Sequence, residues 1–239
     1  MIPRNHPRYR SLKMRESLAA AARSGLVSFE GLAAHGRGEA FDYLIGERTT
    51  ASAADAERLA AQLILSAVRP VFSVNGNCAA LAADEIAALQ KRTGVAVEVN
   101  LFHRTGERMQ QVADHLTAHG VEVLTGECER LVPLEHDRGL CLPEGIGSAD
   151  LILVALEDGD RCEALRKMGR VVIAIDLNPL SRTARLATLP IIDELTRALP
   201  AITAACLEEV AGDYEEIAAS IDKQKFLADA LREMRERLA

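Results

Sequence analysis

Tryptophan is absent from this 239-residue sequence, and aromatic residues make up only 3% of it. Stacking of unpaired bases needs flat aromatic faces, so a platform for single-stranded nucleic acid is not expected. Basic charge is also in short supply: 28 Lys and Arg stand against 35 Asp and Glu, a net charge of −7. General binders of nucleic acid or of anionic membranes are usually basic, so neither partner is expected. A local basic pocket for a small anion is still compatible with this balance. No apolar run approaches the roughly 20 residues that cross a bilayer. The opening MIPRNHPRYRSLKMRE is charged and has no apolar stretch of the secretory kind, so a cytoplasmic protein is expected.

Several motifs are missing as well. Cys78, Cys128, Cys141, Cys162 and Cys206 form no C-x-x-C pair, and an odd, scattered set points to free thiols. His115 and His119 stand four apart, yet the Glu that follows the first His of a zinc-protease helix is lacking. A solvated helix end is the expectation there, not a zinc site. Neither a G-x-G-x-x-G fingerprint nor a P-loop occurs anywhere in the chain.

What is present is a change of rhythm near residue 69. Residues 1–68 read as helical, with a Ser cap before LKMRESLAAAARSG and apolar positions at helical spacing in ASAADAERLAAQLILSA. From 69 to 206 short apolar runs alternate with helical segments: PVFSVN, VAVEVN, VEVL at 121–124, DLILVAL, VVIAIDL and LPII. Strands apolar on both faces and separated by helices predict a mostly parallel, doubly wound, Rossmann-like α/β sheet in a single domain. Residues 125–149 read as a long connection between its halves, and 207–239 as a charged helical tail suited to packing or to an interface.

In such a sheet ligands bind beyond the carboxyl ends of the strands, and the residues there are polar. Asn75-Gly76-Asn77 opens a helix, which suits anion binding by its amides or, equally, a plain Asn-Gly turn with an Asn cap. After the second strand, EVNLFHR brings Arg104. Glu157-Asp158-Gly159-Asp160-Arg161 crowds three acids at a strand end, where they need a cation, a donor or Mg²⁺ to offset their repulsion; an acidic turn capping the next helix is the bland alternative. Asp176-Leu177-Asn178-Pro179-Leu180-Ser181-Arg182-Thr183 suits ribose and phosphate contacts, although a Pro turn explains part of it. Four polar strand ends on one edge imply a large polar ligand, and Arg104, Arg161 and Arg182 imply that it is phosphorylated. The stretch AHGRGEAFDYLIGERT at 34–49 adds charges of both signs around three glycines.

Six blocks carry a resemblance: HPRYRSL, GLAAHGRGEAFDYLIGERT, SVNGNCAAL, EVNLFHRT, LEDGDRCEALRKMG and IDLNPLSRTAR, in order from residue 6 to about 200. Together they resemble archaeal phosphopantothenate synthetase, the 4-phosphopantoate–β-alanine ligase family. The resemblance implies ATP-dependent condensation of 4-phosphopantoate with β-alanine, releasing AMP and pyrophosphate, on the route to coenzyme A. It also implies a cytoplasmic homodimer. Its ATP-contacting pattern falls on Arg15, Arg37, Asp176, Leu177, Asn178, Arg182, Thr183, Glu194 and Leu195. Asp193-Glu194 departs from the family's usual Asp-Asn, and a glutamate cannot donate the hydrogen bond that an amide can. Asn75, Gly76, Asn77 and Arg104 are the substrate-binding candidates. Arg161, Asp158 and Asp160 are the catalytic candidates, with Asp158 and Asp160 available to Mg²⁺. Arg37 would reach phosphate, with the nearby glycines allowing close approach, while Glu39, Asp42, Glu47 and Arg48 would form an ion-pair network behind it. A nicotinamide-dependent oxidoreductase or a non-catalytic nucleotide-binding regulator are the rival readings.

Overall fold

The computed structural model describes residues 2–208 and 212–238. Three helices come first: α1 (Tyr9–Arg23), α2 (Phe29–Ile45) and α3 (Ala51–Ser66). The second and third start at hydroxyl caps, where the Ser28 and Thr50 side chains accept from the N–H groups of Gly31 and Ala53. Gly46 ends α2 in the left-handed conformation, φ 98°, which costs an L side chain energy that glycine avoids.

The core is a five-stranded sheet of β1 (Pro70–Val74), β2 (Ala96–Val99), β5 (Leu151–Ala155), β6 (Val171–Ile175) and β7 (Leu189–Ile191). All neighbours are parallel and the spatial order is β2-β1-β5-β6-β7. Period-2 alternation sorts the side chains between two apolar layers. Leu151, Leu153, Ala155, Ile173 and Ile175 face one side. There they meet α3, α4 (Gly76–Thr93), α5 (Gly106–Ala118) and α8 (Leu195–Ala205). Ile152, Val154, Val172 and Ala174 face the other side, against α6 (Gly159–Lys167) and the 130–149 segment. Both faces are covered, as the continuous apolar runs predict.

Three expectations change. Ser11 does not cap α1 but lies buried inside it, and the capping position falls on Arg8, whose side chain makes no cap bond. VEVL at 121–124 is not a full strand, because only Val97 and Val123 form a parallel bridge. The backbone of Glu122 is engaged instead by the Gln90 side chain, at 2.8 and 2.9 Å, which takes the groups a ladder would need. The 125–149 connection holds a small antiparallel pair, β3 (Glu129–Arg130) with β4 (Leu140–Cys141). It is fastened to the sheet by Glu98 of β2, a buried carboxylate accepting from the N–H groups of Leu142 and Ile146 at 3.0 and 2.7 Å.

The tail forms α9 (Tyr214–Ser220) and α10 (Lys223–Leu238). Leu227, Ala230 and Met234 of α10 pack on Ile45, Ala184 and Ile192. Arg48 pairs with Glu233 at 2.8 Å. This stretch is therefore a structural brace across α2, α7 (Arg182–Leu186) and β7.

Candidate active site at the sheet switch point

The chain leaves β1 toward β2 and returns to β5 on the other side of β1, so strand order reverses between β1 and β5. Loops diverge at such a point and leave a crevice beyond the strand ends. A cavity of about 320 Å³ opens there. Its walls come from Ser28, Gly31 and Arg37 of the α2 region, Asn75 to Asn77, Leu101 to His103, Arg108, Arg138, Leu156 and Asp158.

Two glycines let the walls close up. A Cβ at Gly31 would lie 2.3 Å from Asn77 Oδ1, and one at Gly76 would lie 2.3 Å from the Leu26 carbonyl oxygen. The close approach at the cavity therefore falls outside 34–49, at Gly31 before it and Gly76 after it; within the stretch only Gly46 is crowded, where a Cβ would lie 2.6 Å from the Arg237 guanidinium carbon. Around Gly36 nothing lies within 4 Å, and a Cβ at Gly38 would meet Leu177 only at ordinary contact distance, 3.7 Å. The Asn75 side chain caps α4, accepting from Cys78 N–H at 3.1 Å, and donates to the Ala155 carbonyl at 2.9 Å. It thus pins β1 to β5 across the switch point. Asn77 donates to the Gly31 carbonyl at 2.8 Å and so ties α4 to α2.

The acidic strand end separates into three fates. Leu156, at φ 51°, is a non-glycine residue in the left-handed region, a strained conformation of the sort found at functional sites. Beyond it Glu157 is buried between the guanidiniums of Arg138 and Arg161, with Arg161 also donating to Ser73 Oγ at 3.0 Å. Burial alone would raise the Glu157 carboxyl, but the two arginines outweigh it and hold it below the usual carboxylate range. Arg161, a catalytic candidate, is 0% exposed and does not line the cavity. Asp158 faces the cavity, and partial burial together with neighbouring Glu157 raises its pKa. Asp160 points outward and pairs with Arg182. Among the described residues no cluster of three His, Cys, Asp or Glu side chains is arranged to hold a metal ion. Of the two aspartates considered for Mg²⁺, only Asp158 lines the cavity.

Arg37 stands between this cavity and the loop that follows β6. It lines the cavity, and its charge also acts on Asp176. Burial raises the Asp176 carboxyl, opposed by hydrogen bonds from Ser181 and Asn178 and by Arg37. Asp176 and Asn178 shape the loop itself: Asp176 accepts from Asn178 N–H and Asn178 from Leu180 N–H, each at 2.9 Å. Leu177 is buried, and the Thr183 hydroxyl donates to the Glu157 carbonyl at 2.7 Å. Arg182 is exposed beside Asp160 and Glu163. Arg15 is half-exposed, with Nε on Glu39 at 2.8 Å. Glu194 is buried and caps α8 by accepting from Thr196 N–H at 2.8 Å, and Leu195 is the first residue of that helix. The role an amide would have in that cap is thus filled by a carboxylate.

The charges of 34–49 find partners on other elements. Glu39 meets Arg8 and Arg15, Glu47 meets Arg8, Asp42 meets Arg197, and Arg48 meets Glu233. These pairs hold α2, which carries Arg37, against α1, α8 and α10.

Arg104 does not reach the switch point. It lies in a separate recess beneath α5, lined also by Glu98 and Met109, and donates to Cys128 Sγ at 2.8 Å. Arg108 and Arg138 are in the cavity wall instead. Arg108 was hidden within an ordinary amphipathic helix, and Arg138 in a connection with no strand end to mark it. His115 bonds the Ala79 carbonyl at 3.1 Å and His119 meets Asp84 at 2.6 Å, as suits a helix end. All five cysteines are free. Burial pushes Cys78 and Cys162 up to about 12, and Cys141 and Cys206 to about 11, which keeps them protonated near neutrality.

The family model described as phosphopantothenate/pantothenate synthetase matches residues 52–237. The chain is similar, at 57% identity over 238 residues, to a Methanospirillum hungatei protein named 4-phosphopantoate–β-alanine ligase, covering 100% of this chain and 98% of that one. It is 50% identical over 241 residues to a Methanosarcina mazei protein of the same name, covering 99% and 95% of the two chains. A Thermococcus kodakarensis protein, also so named, is 46% identical over 243 residues, covering 99% and 93%. A switch-point cavity with arginines on its wall, on a sheet of this order and in a chain matched over nearly its whole length, leaves one assignment: the chain belongs to the phosphopantothenate/pantothenate synthetase family.

Proposed function

We propose that this protein is an ATP-dependent ligase joining 4-phosphopantoate to β-alanine, acting in the cytoplasm as a homodimer and releasing AMP and pyrophosphate. The observation that carries the ligase part of the reading is near-full-length similarity, at 46%, 50% and 57% identity, to three proteins named 4-phosphopantoate–β-alanine ligase. The geometry supports it: Arg37 stands between the cavity and the Asp176 loop, so an acid in the first and a nucleotide at the second would meet at one guanidinium.

In this scheme the nucleotide lies along the β6 and β7 strand ends, reached by Arg15, Arg37, Arg182 and the 176–178 loop. The acid's carboxylate attacks the α-phosphorus in line, pyrophosphate leaves, and a phosphopantoyl-adenylate results. The neutral amine of β-alanine then attacks the acyl carbon and displaces AMP, giving up one proton. Positioning and charge neutralisation dominate such a reaction. Arg37 neutralises charge on the transferring phosphate, and the raised pKa of Asp158 suits it to accept the amine proton. Mg²⁺ would accompany the nucleotide and offset further charge on its phosphates.

Product analysis tests the proposal. AMP and pyrophosphate should appear in equal amounts, and only when ATP, 4-phosphopantoate and β-alanine are all present. ADP and inorganic phosphate as primary products would exclude the adenylate route.

A further inference from the structure

The buried triad beneath the cavity has more positive than negative charge. Arg138 and Arg161, 4% and 0% exposed, share the single carboxylate Glu157. The buried Nε–H of each has no partner among the described residues, but Arg161 is also held by Ser73 and lies off the cavity, whereas Arg138 has one engaged nitrogen, Nη2, and lines it. A buried guanidinium with an unpaired donor is costly unless a ligand completes it. Arg138 lines the cavity, and so do Gly76 and Asn77, the first residues of the 18-residue helix α4. The opening amides of a helix favour anions. Arg108 adds charge at the same wall, although its three nitrogens are engaged by the carbonyls of Gly25, His103 and Leu26. Of the two carboxylates on the cavity wall, Glu30 stands exposed at the lip beside His103 and Asp158 stands next to Glu157.

We infer that Arg138, with the first amides of α4, is the receptor for the phosphate of the phosphorylated acid and sets the preference for phosphorylated over unphosphorylated acid. This rests on the ligase reading. The carboxylate must meet the nucleotide on the Arg37 side, so the phosphate at the other end of the acid turns to the switch-point floor. Leu101, Phe102 and Leu156 line the space between for its methyl groups.

Arg138→Met tests the assignment. It removes the surplus cation and leaves the balanced Glu157–Arg161 pair, so the fold should persist; melting curves check this. Arg138→Lys, which keeps the charge and loses the planar fork, is the second variant. Binding of 4-phosphopantoate and of pantoate is measured by calorimetry, alongside KM for each substrate. Arg138→Met should weaken 4-phosphopantoate roughly 10- to 100-fold, the range of a charge-assisted hydrogen bond, and Arg138→Lys by less. Pantoate binding and the KM values for ATP and β-alanine should stay within about threefold. Equal weakening of both acids, or unchanged 4-phosphopantoate affinity in either folded variant, overturns the inference while leaving the ligase reading intact. A parent protein that binds neither acid and forms no product overturns both.

Discussion

Glu157→Gln removes one negative charge from between two buried guanidiniums. The three side chains are 4%, 1% and 0% exposed, so water can do little to replace the lost carboxylate. Breaking a buried ion pair by removing one partner costs about 3–5 kcal/mol. That is a large part of the roughly 5–15 kcal/mol that keeps a domain folded. At about 2–4 °C per kcal/mol for a chain of this size, the melting temperature should fall by about 6–20 °C. Circular dichroism at pH 7 on parent and variant measures it. The pH dependence gives a second readout. Because the folded carboxyl is held low, its contribution is complete above the ordinary carboxylate pKa of about 4.3 and is lost as pH falls through the folded value. The variant should therefore lose less stability than the parent over that acid limb. Replacing all three residues, as Arg138→Met, Glu157→Leu and Arg161→Met together, should restore most of the stability, since a packed apolar core can substitute for a buried ion cluster. A Glu157→Gln protein that melts within about 2 °C of the parent would refute the picture of an occluded triad.

Glu57 should behave in the opposite sense: burial, then Asp193, pushes its carboxyl up to about 9, so folding stability should decline as pH rises from the ordinary carboxylate range toward that value. Glu57→Gln should raise the melting temperature more at pH 8 than at pH 5; an equal change at both would contradict the assignment. Arg182→Ala should lower kcat/KM with respect to ATP by roughly 10²- to 10³-fold, with Arg182→Lys restoring only part, because the lysine lacks the planar fork. Its melting temperature should barely move, since Arg182 is exposed and its ion pairs are at the surface; unchanged ATP kinetics in both variants would remove it from the site. Replacing all five cysteines with Ala or Ser, in a protein that still folds, should leave kcat within roughly tenfold, a barrier change of about 1.4 kcal/mol. Selective loss of turnover would expose a catalytic thiol.

The strands were readable wherever an apolar run was long enough to be covered on both faces, as in DLILVAL and VVIAIDL. VEVL carried the same local signal, but a side chain from α4 took the backbone groups of Glu122. Asp158 was readable from its polar strand end, whereas Arg37 was named only through the family resemblance of its block; both line the cavity. Arg161 looked equally exposed on paper. The i, i+4 spacing of Glu157 and Arg161 joins the two in a buried pair, and only the sheet packed beneath that turn removes them from solvent.

Alternating apolar runs and helical segments determined a parallel sheet covered on both faces, and the order of six sequence blocks pointed to one family. These are local properties, set by side-chain periodicity and by the composition of short segments, and they survive without knowledge of what touches what. Which strand ends adjoin was decided by the β2-β1-β5-β6-β7 order alone. That order brings Asn75 beside Leu156, directs Arg104 into a separate recess and carries Arg138 from a featureless connection into the cavity wall. Charge signs were legible throughout, but whether a charge faces solvent, a partner or a ligand is a matter of burial, and burial is created only when segments far apart in sequence pack together.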